Sequence, residues 1–140
     1  MRGKTHLIYG ILVAVFSPSW LIGAATIVAS VLPDIDSPKS LLGKPFFFLN
    51  HAATHRGFMH SIWAFILLAA LLSLFWPSAL VYVLAGYASH LVLDALNKKG
   101  IHLFYPFFHI RGFCKMGGII EWCLFSVGIL LIVGRIIAVI

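Results

Sequence analysis

Residues 119–140 form a run of 22 residues whose only charged members are Glu121 near its start and Arg135 near its end. About 20 apolar residues in a helix suffice to cross a bilayer. In hydrocarbon, every backbone polar group must be satisfied within its own segment, and for a single run only a helix achieves this. Four further apolar segments precede it: residues 7–16, 20–32, 61–76 and 79–96. Composition agrees, with 61% hydrophobic and 10% charged residues, against about 25% charged in soluble domains. The predicted fold class is therefore all-α: a polytopic membrane helical bundle forming a single domain over residues 1–140. Its last three segments are expected to span the membrane. The first two are short and are separated by Ser17-Pro18-Ser19, so residues 7–32 are read either as an N-terminal hairpin or as one kinked span.

Charge placement favours the hairpin. It puts nine of the ten Lys and Arg residues on one side, with only Arg135 near the other end. The positive-inside rule then places the long loops, residues 33–60 and 97–118, in the cytoplasm. Arg2 and Lys4 ahead of an apolar run imitate a signal peptide, but no small-residue cleavage site follows and several apolar runs come later. The formal net charge of +6 is accounted for by these loops, and no nucleic-acid partner is expected. Cys114 and Cys123 match no CxxC spacing, which excludes a cysteine-based zinc site. Both loops carry aromatic clusters, Phe46-Phe47-Phe48 and Phe104-Tyr105-Pro106-Phe107-Phe108, suited to the membrane interface.

All seven histidines and all four acidic residues fall at one end of this hairpin topology. His90 and Asp94 stand four apart in an apolar helix and so share a face. An ionised Asp94 is costly there unless paired or bound to a metal. Asp34 and Asp36 alternate in Leu-Pro-Asp-Ile-Asp-Ser-Pro; on an extended backbone both carboxylates point one way and call for a cation between them. His55 and His60 frame the turn before the third segment, Arg56 can hold a phosphate oxygen, and Ser61 stands where a helix cap is expected. His6 joins the set only in the hairpin topology. Glu121 opens the last helix, where the helix dipole alone favours a carboxylate. His51, His102 and His109 lie in the aromatic loops and are read as interfacial. The expected metal ligands are thus His6, Asp34, Asp36, His55, His60, His90 and Asp94. Nitrogen and oxygen donors together suit zinc, with manganese or iron as alternatives, and a bound metal would make water a better nucleophile near neutral pH.

Residues 32–40 (Leu-Pro-Asp-Ile-Asp-Ser-Pro-Lys-Ser), 55–61 (His-Arg-Gly-Phe-Met-His-Ser) and 86–94 (Gly-Tyr-Ala-Ser-His-Leu-Val-Leu-Asp) resemble the motifs of the bacterial LexA-regulated, membrane-bound metal-dependent hydrolases. His6, and Gly117-Gly118 ahead of Glu121, match further family features, so the resemblance runs along the whole chain. One departure is Met59, where the family motif carries threonine. The resemblance implies an inner-membrane protein that hydrolyses an ester or phosphoester. Asp34, Asp36, Arg56 and Glu121 are its expected catalytic residues, and a lipid or lipid-linked molecule is its expected substrate. Two other classes compete with this reading: a membrane scaffold or partner subunit with a structural metal site, and a small transporter. The clustering of polar residues at one end, with none threading the bundle, weighs against transport.

Overall fold

The structure, a computed structural model, describes residues 1–36, 40 and 57–138. Five helices alternate in direction: α1 (Gly3–Ala14), α2 (Trp20–Val31), α3 (Ile62–Phe75), α4 (Leu80–Ala95) and α5 (Ile119–Ile137). Short 3-10 turns lie at Leu32–Asp36, Phe58–His60 and Pro77–Ala79.

Residues 7–32 form the hairpin and not a kinked span. Pro18 lacks an N–H and disfavours helical backbone before it. The Ser17 hydroxyl donates to the Ala14 carbonyl at 2.7 Å, closing α1, and the Ser19 hydroxyl accepts from the Ile22 N–H at 3.3 Å, opening α2. The returning helix packs closely: a Cβ on Gly10 would meet the Ser30 hydroxyl, and one on Gly23 would meet Ser17 and Ala14. Helix α4 lies along α2 in the same direction, because Gly86 lets the Thr26 carbonyl approach to 2.5 Å of where its Cβ would stand. Helix α5 runs along α1: Glu121 meets Arg2 and Thr5, Gly128 seats against Ile8 and Tyr9, and Arg135 lies over the Phe16 ring. The start of α1, the end of α2, the start of α3, the end of α4 and the start of α5 therefore share one end of the bundle.

Three spans were expected; among the described residues two helical stretches are long and apolar enough to cross a membrane, Pro77–Ala95 and Ile119–Ile137, each 19 residues. Helix α3 has 14 residues, about 21 Å at 1.5 Å per residue, against about 30 Å of hydrocarbon. It is shortened at both ends: residues 58–60 are diverted into a 3-10 turn, and Pro77 stops the helix after Phe75. The outward faces of α3 and α5 are apolar, with Phe75 76% and Ile119 82% exposed. Ser61 holds the N-cap position of α3, but its hydroxyl donates to the Phe58 carbonyl at 2.6 Å and makes no cap bond.

The fold is mostly helical and not purely so. In the second loop, β1 (Ile101–Phe104) and β2 (Phe108–Ile110) form an antiparallel ribbon, pairing Ile101 with Ile110 and Phe104 with Phe108. β-Branched and aromatic residues flanking a Pro-containing three-residue turn are ribbon chemistry. Gly100 has φ +66, and a Cβ there would lie 2.0 Å from the Ile110 carbonyl oxygen, so only glycine permits this ribbon start. The Trp63 indole N–H donates to the Tyr105 carbonyl at 3.1 Å, tying the ribbon to α3.

Close α2–α4 packing at Gly86 leads to a direct expectation. Gly86→Val should destabilise the purified protein by about 1–3 kcal/mol, the cost of overpacking a tight contact. Gly134→Ala, where nothing lies within 4 Å, should change stability by less than about 1 kcal/mol. Thermal unfolding in one detergent compares them; equal melting temperatures would show that the close approach is not needed.

Candidate metal centre

One turn separates His90 from Asp94 on α4, and both are buried, at 0% and 1% exposure. Helix α2 ends beside them. The His90 Nδ1–H donates to the Ser30 carbonyl at 2.8 Å; because a carbonyl only accepts, this bond fixes the tautomer and leaves Nε2 as the metal-facing nitrogen. Past α2, Pro33 carries the chain into the 3-10 turn, which brings the Asp34 carboxylate to 3.8 Å from His90 Nε2 and 3.7 Å from His60 Nε2. His60 enters from the turn ahead of α3, its Nε2 3.3 Å from His90 Nε2 and 3.7 Å from Asp94 Oδ2. The Tyr87 hydroxyl donates to the Met59 carbonyl and holds that turn against α4. At Met59 the contact is thus made by backbone.

Asp34, His60, His90 and Asp94 each offer one ligand atom, and all four atoms lie within 4.8 Å of one another. Metal–ligand bonds of about 2.0–2.2 Å in a tetrahedron place ligand atoms about 3.3–3.6 Å apart. Four of the six separations are 3.3–3.8 Å, at or slightly above that spacing, with all six within 4.8 Å, and the donor set suits zinc, manganese or iron. His6 completes the surroundings: its ring stacks on His90 at 3.8 Å, and its Nε2 is 3.3 Å from Asp94 Oδ1. It is fully buried, and its Nδ1 has no hydrogen-bond partner among the described residues. The Met1 amino group also meets Asp94. At Asp34, which lies outside both 19-residue spans, burial alone would raise the carboxyl pKa. The His60 hydrogen bond and the nearby imidazoles outweigh burial and hold it below the usual carboxylate range.

The structure thus brings together four of the seven expected ligands, with His6 packed against them. The extended backbone expected at Asp34–Asp36 is corrected: residues 32–36 form a 3-10 turn. The Asp36 side chain, with His51, His55 and Arg56, lies outside the described residues. Glu121, expected to be catalytic, is not one of the four. Its carboxylate accepts from the Arg2 N–H at 2.5 Å, the Thr5 hydroxyl at 3.0 Å and the Gly117 N–H at 2.6 Å. Glu121 therefore binds the start of α1 and the second loop to α5. The preceding Gly117, at φ +72, was the signal for this local clamp. His102 and His109 face each other across the ribbon, centroids 4.5 Å apart, away from the four.

A short helical bundle with a lipid-facing exterior and a buried His/Asp cluster at one end defines a small membrane protein with a candidate metal centre. The chain belongs to the YdjM inner membrane protein family, whose model matches residues 1–139. It is 33% identical over 129 residues to the inner membrane protein YdjM of Escherichia coli (strain K12) and, equally, to that of Shigella flexneri; each match takes in 76% of this chain. The chain spans 66% of the length of these two relatives. The protein YvsG of Bacillus subtilis (strain 168) is 32% identical, with 76% of this chain and 74% of that one covered. No solved structure matches. The family expectation thus holds as a bacterial inner-membrane family; none of these names carries a hydrolase activity or LexA regulation.

If Glu121 clamps and does not ligate, Glu121→Gln should lower stability by about 1–3 kcal/mol through its weakened hydrogen bonds and leave bound metal unchanged. Unfolding and metal analysis on the same preparation separate the two roles; loss of metal with unchanged stability would make Glu121 a ligand.

Proposed function

We propose that this protein is a multi-pass inner-membrane metal-dependent hydrolase, acting on an ester or phosphoester of a lipid or lipid-linked molecule at the cytoplasmic face. One observation carries the reading: four ligand atoms from three separate stretches of chain converge within 4.8 Å at one end of the bundle, three of the four residues fully buried. Burying two carboxylates together is unfavourable unless cations or hydrogen bonds compensate. Asp34, His60, His90 and Asp94 hold the divalent metal, zinc first. When bound, the metal supplies Lewis acidity and lowers the pKa of water. The Ser30 carbonyl keeps His90 in the ligating tautomer. His6 is placed to hold a proton at Nε2, facing Asp94 Oδ1 at 3.3 Å. His55 is a further proposed ligand, Asp36 is proposed either as a further ligand or as the general base, and Arg56 is the proposed contact to developing negative charge. Orientation follows from charge: of the seven basic residues among the described ones, all but Arg135 belong to the end that carries the cluster. The lipid substrate follows from the depth of that end, at the limit of two apolar helices.

Metal analysis of detergent-purified protein tests this. About one or two equivalents of zinc, manganese or iron are expected in wild type, falling at least about tenfold in His90→Ala/Asp94→Ala. The loaded protein should then cleave at least one member of a phosphoester and phospholipid panel, and the double variant none. Wild type that takes up no metal even after reloading would sink the reading, and metal without turnover would confine the centre to a structural role.

A further inference from the structure

A second feature lies on the outside of the same bundle end. A cavity of about 270 Å³ runs between the starts of α1 and α5, lined chiefly by Arg2, Lys4, Thr5, Glu121, Trp122 and Phe125. None of the four candidate ligands lines it. We propose that this groove binds one anionic phospholipid, its phosphate held by Arg2 and Lys4 and its upper acyl chain laid on Trp122 and Phe125. The inference stands whether or not the buried centre hydrolyses anything.

Charge is the first argument. Among the described residues Glu121 is the only carboxylate lining the groove, and its oxygens accept from the Arg2 N–H, the Thr5 hydroxyl and the Gly117 N–H. It offers neither the Arg2 guanidinium nor the Lys4 ammonium a direct ion pair, and its single negative charge against their two leaves the groove net positive. Among the described residues, neither cation forms a salt bridge, and both side chains are exposed. Arg2 is also held in place, its guanidinium carbon 5.5 Å above the Trp122 ring. Two exposed cations without an ion-pair partner among the described residues, one of them held over Trp122, above an apolar floor match an anionic headgroup above an acyl chain.

Depth is the second argument. The groove opens at the first turn of α5, a 19-residue stretch apolar enough to cross a membrane. Ile119 and Trp122 beside it are 82% and 55% exposed, so the groove continues into a lipid-facing surface. Tryptophan and basic residues at the end of a span belong at headgroup level, and basic pockets between helices at that level take anionic headgroups. A zwitterionic lipid would bring its own cation against Arg2 and Lys4. Free phosphate would leave the aromatic floor unused.

Native mass spectrometry of the full chain in detergent, with equal phosphatidylglycerol and phosphatidylcholine, tests the assignment. Wild type should retain one phosphatidylglycerol in preference to phosphatidylcholine. Arg2→Gln/Lys4→Gln should weaken that retention about 30-fold, at about fivefold per interfacial cation. The charge-matched control Lys98→Gln/Lys99→Gln should keep it. Trp122→Leu, which preserves every charge, should weaken it about two- to fivefold, the share of a cation–ring contact, and serves if the double variant proves poorly folded by thermal unfolding. Equal retention of both lipids, equal loss in both charge variants, or full retention in Arg2→Gln/Lys4→Gln and Trp122→Leu would overturn the proposal.

Discussion

Burying His90 and Asp94 one turn apart in an apolar helix sets a demand that the rest of the bundle meets. A carboxylate at 1% exposure cannot be left alone in such surroundings, because losing its water costs more than a single helix can return. Each neighbouring segment brings something to that point. The start of α1 brings His6 and the Met1 amino group, the end of α2 brings the Ser30 carbonyl, the turn beyond it brings Asp34, and the turn before α3 brings His60. The close glycine contacts at Gly10 and Gly86 belong to the same requirement, since α1, α2 and α4 must lie within side-chain reach of one another.

The alternation of helix direction then divides the molecule into two unequal ends. Among the described residues the far end holds only the Ser17–Ser19 turn, the Trp76–Ala79 turn and the end of α5, with Arg135 over Phe16. The near end carries the metal-type cluster, the Glu121 clamp, the ribbon and the cationic groove. Glu121 links three of these: one carboxylate fixes Arg2, Thr5 and Gly117 together, which positions His6 one residue along from Thr5 and leaves the Arg2 and Lys4 side chains to the outside. Buried chemistry and surface charge are thus set by the same hydrogen bonds.

Much of this was legible in the chain. The i, i+4 spacing of His90 and Asp94 fixes a shared face whatever the fold. Pro18 between serines, with the basic residues gathered in two loops, pointed to the hairpin, and the hairpin alone brings His6 to the cluster. Other features were not legible. Asp34 and Asp36 alternate as in a strand, yet Pro33 begins a 3-10 turn, because its fixed φ suits helical backbone as well as extended. The aromatic loop read as interfacial contains a ribbon, because a four- and a three-residue strand fall below what periodicity can resolve in an apolar chain. Residues 61–76 read as a span, yet the helix formed is two residues shorter, because the turn that delivers His60 takes its entrance and Pro77 takes its exit.

By itself, the sequence determined the helical, lipid-facing character of the chain, the break at Pro18 and the pairing of His90 with Asp94. These follow from local rules: apolar length, proline geometry and helical period. Only the tertiary structure decided which acidic and histidine residues meet. Asp34, His60, His90 and Asp94 are separated by up to 60 residues, and their convergence depends on helix packing distances that no local pattern encodes. The same holds for Glu121: two of its three hydrogen-bond donors, the Arg2 N–H and the Thr5 hydroxyl, lie more than a hundred residues away in the chain and meet it only through the packing of α1 on α5.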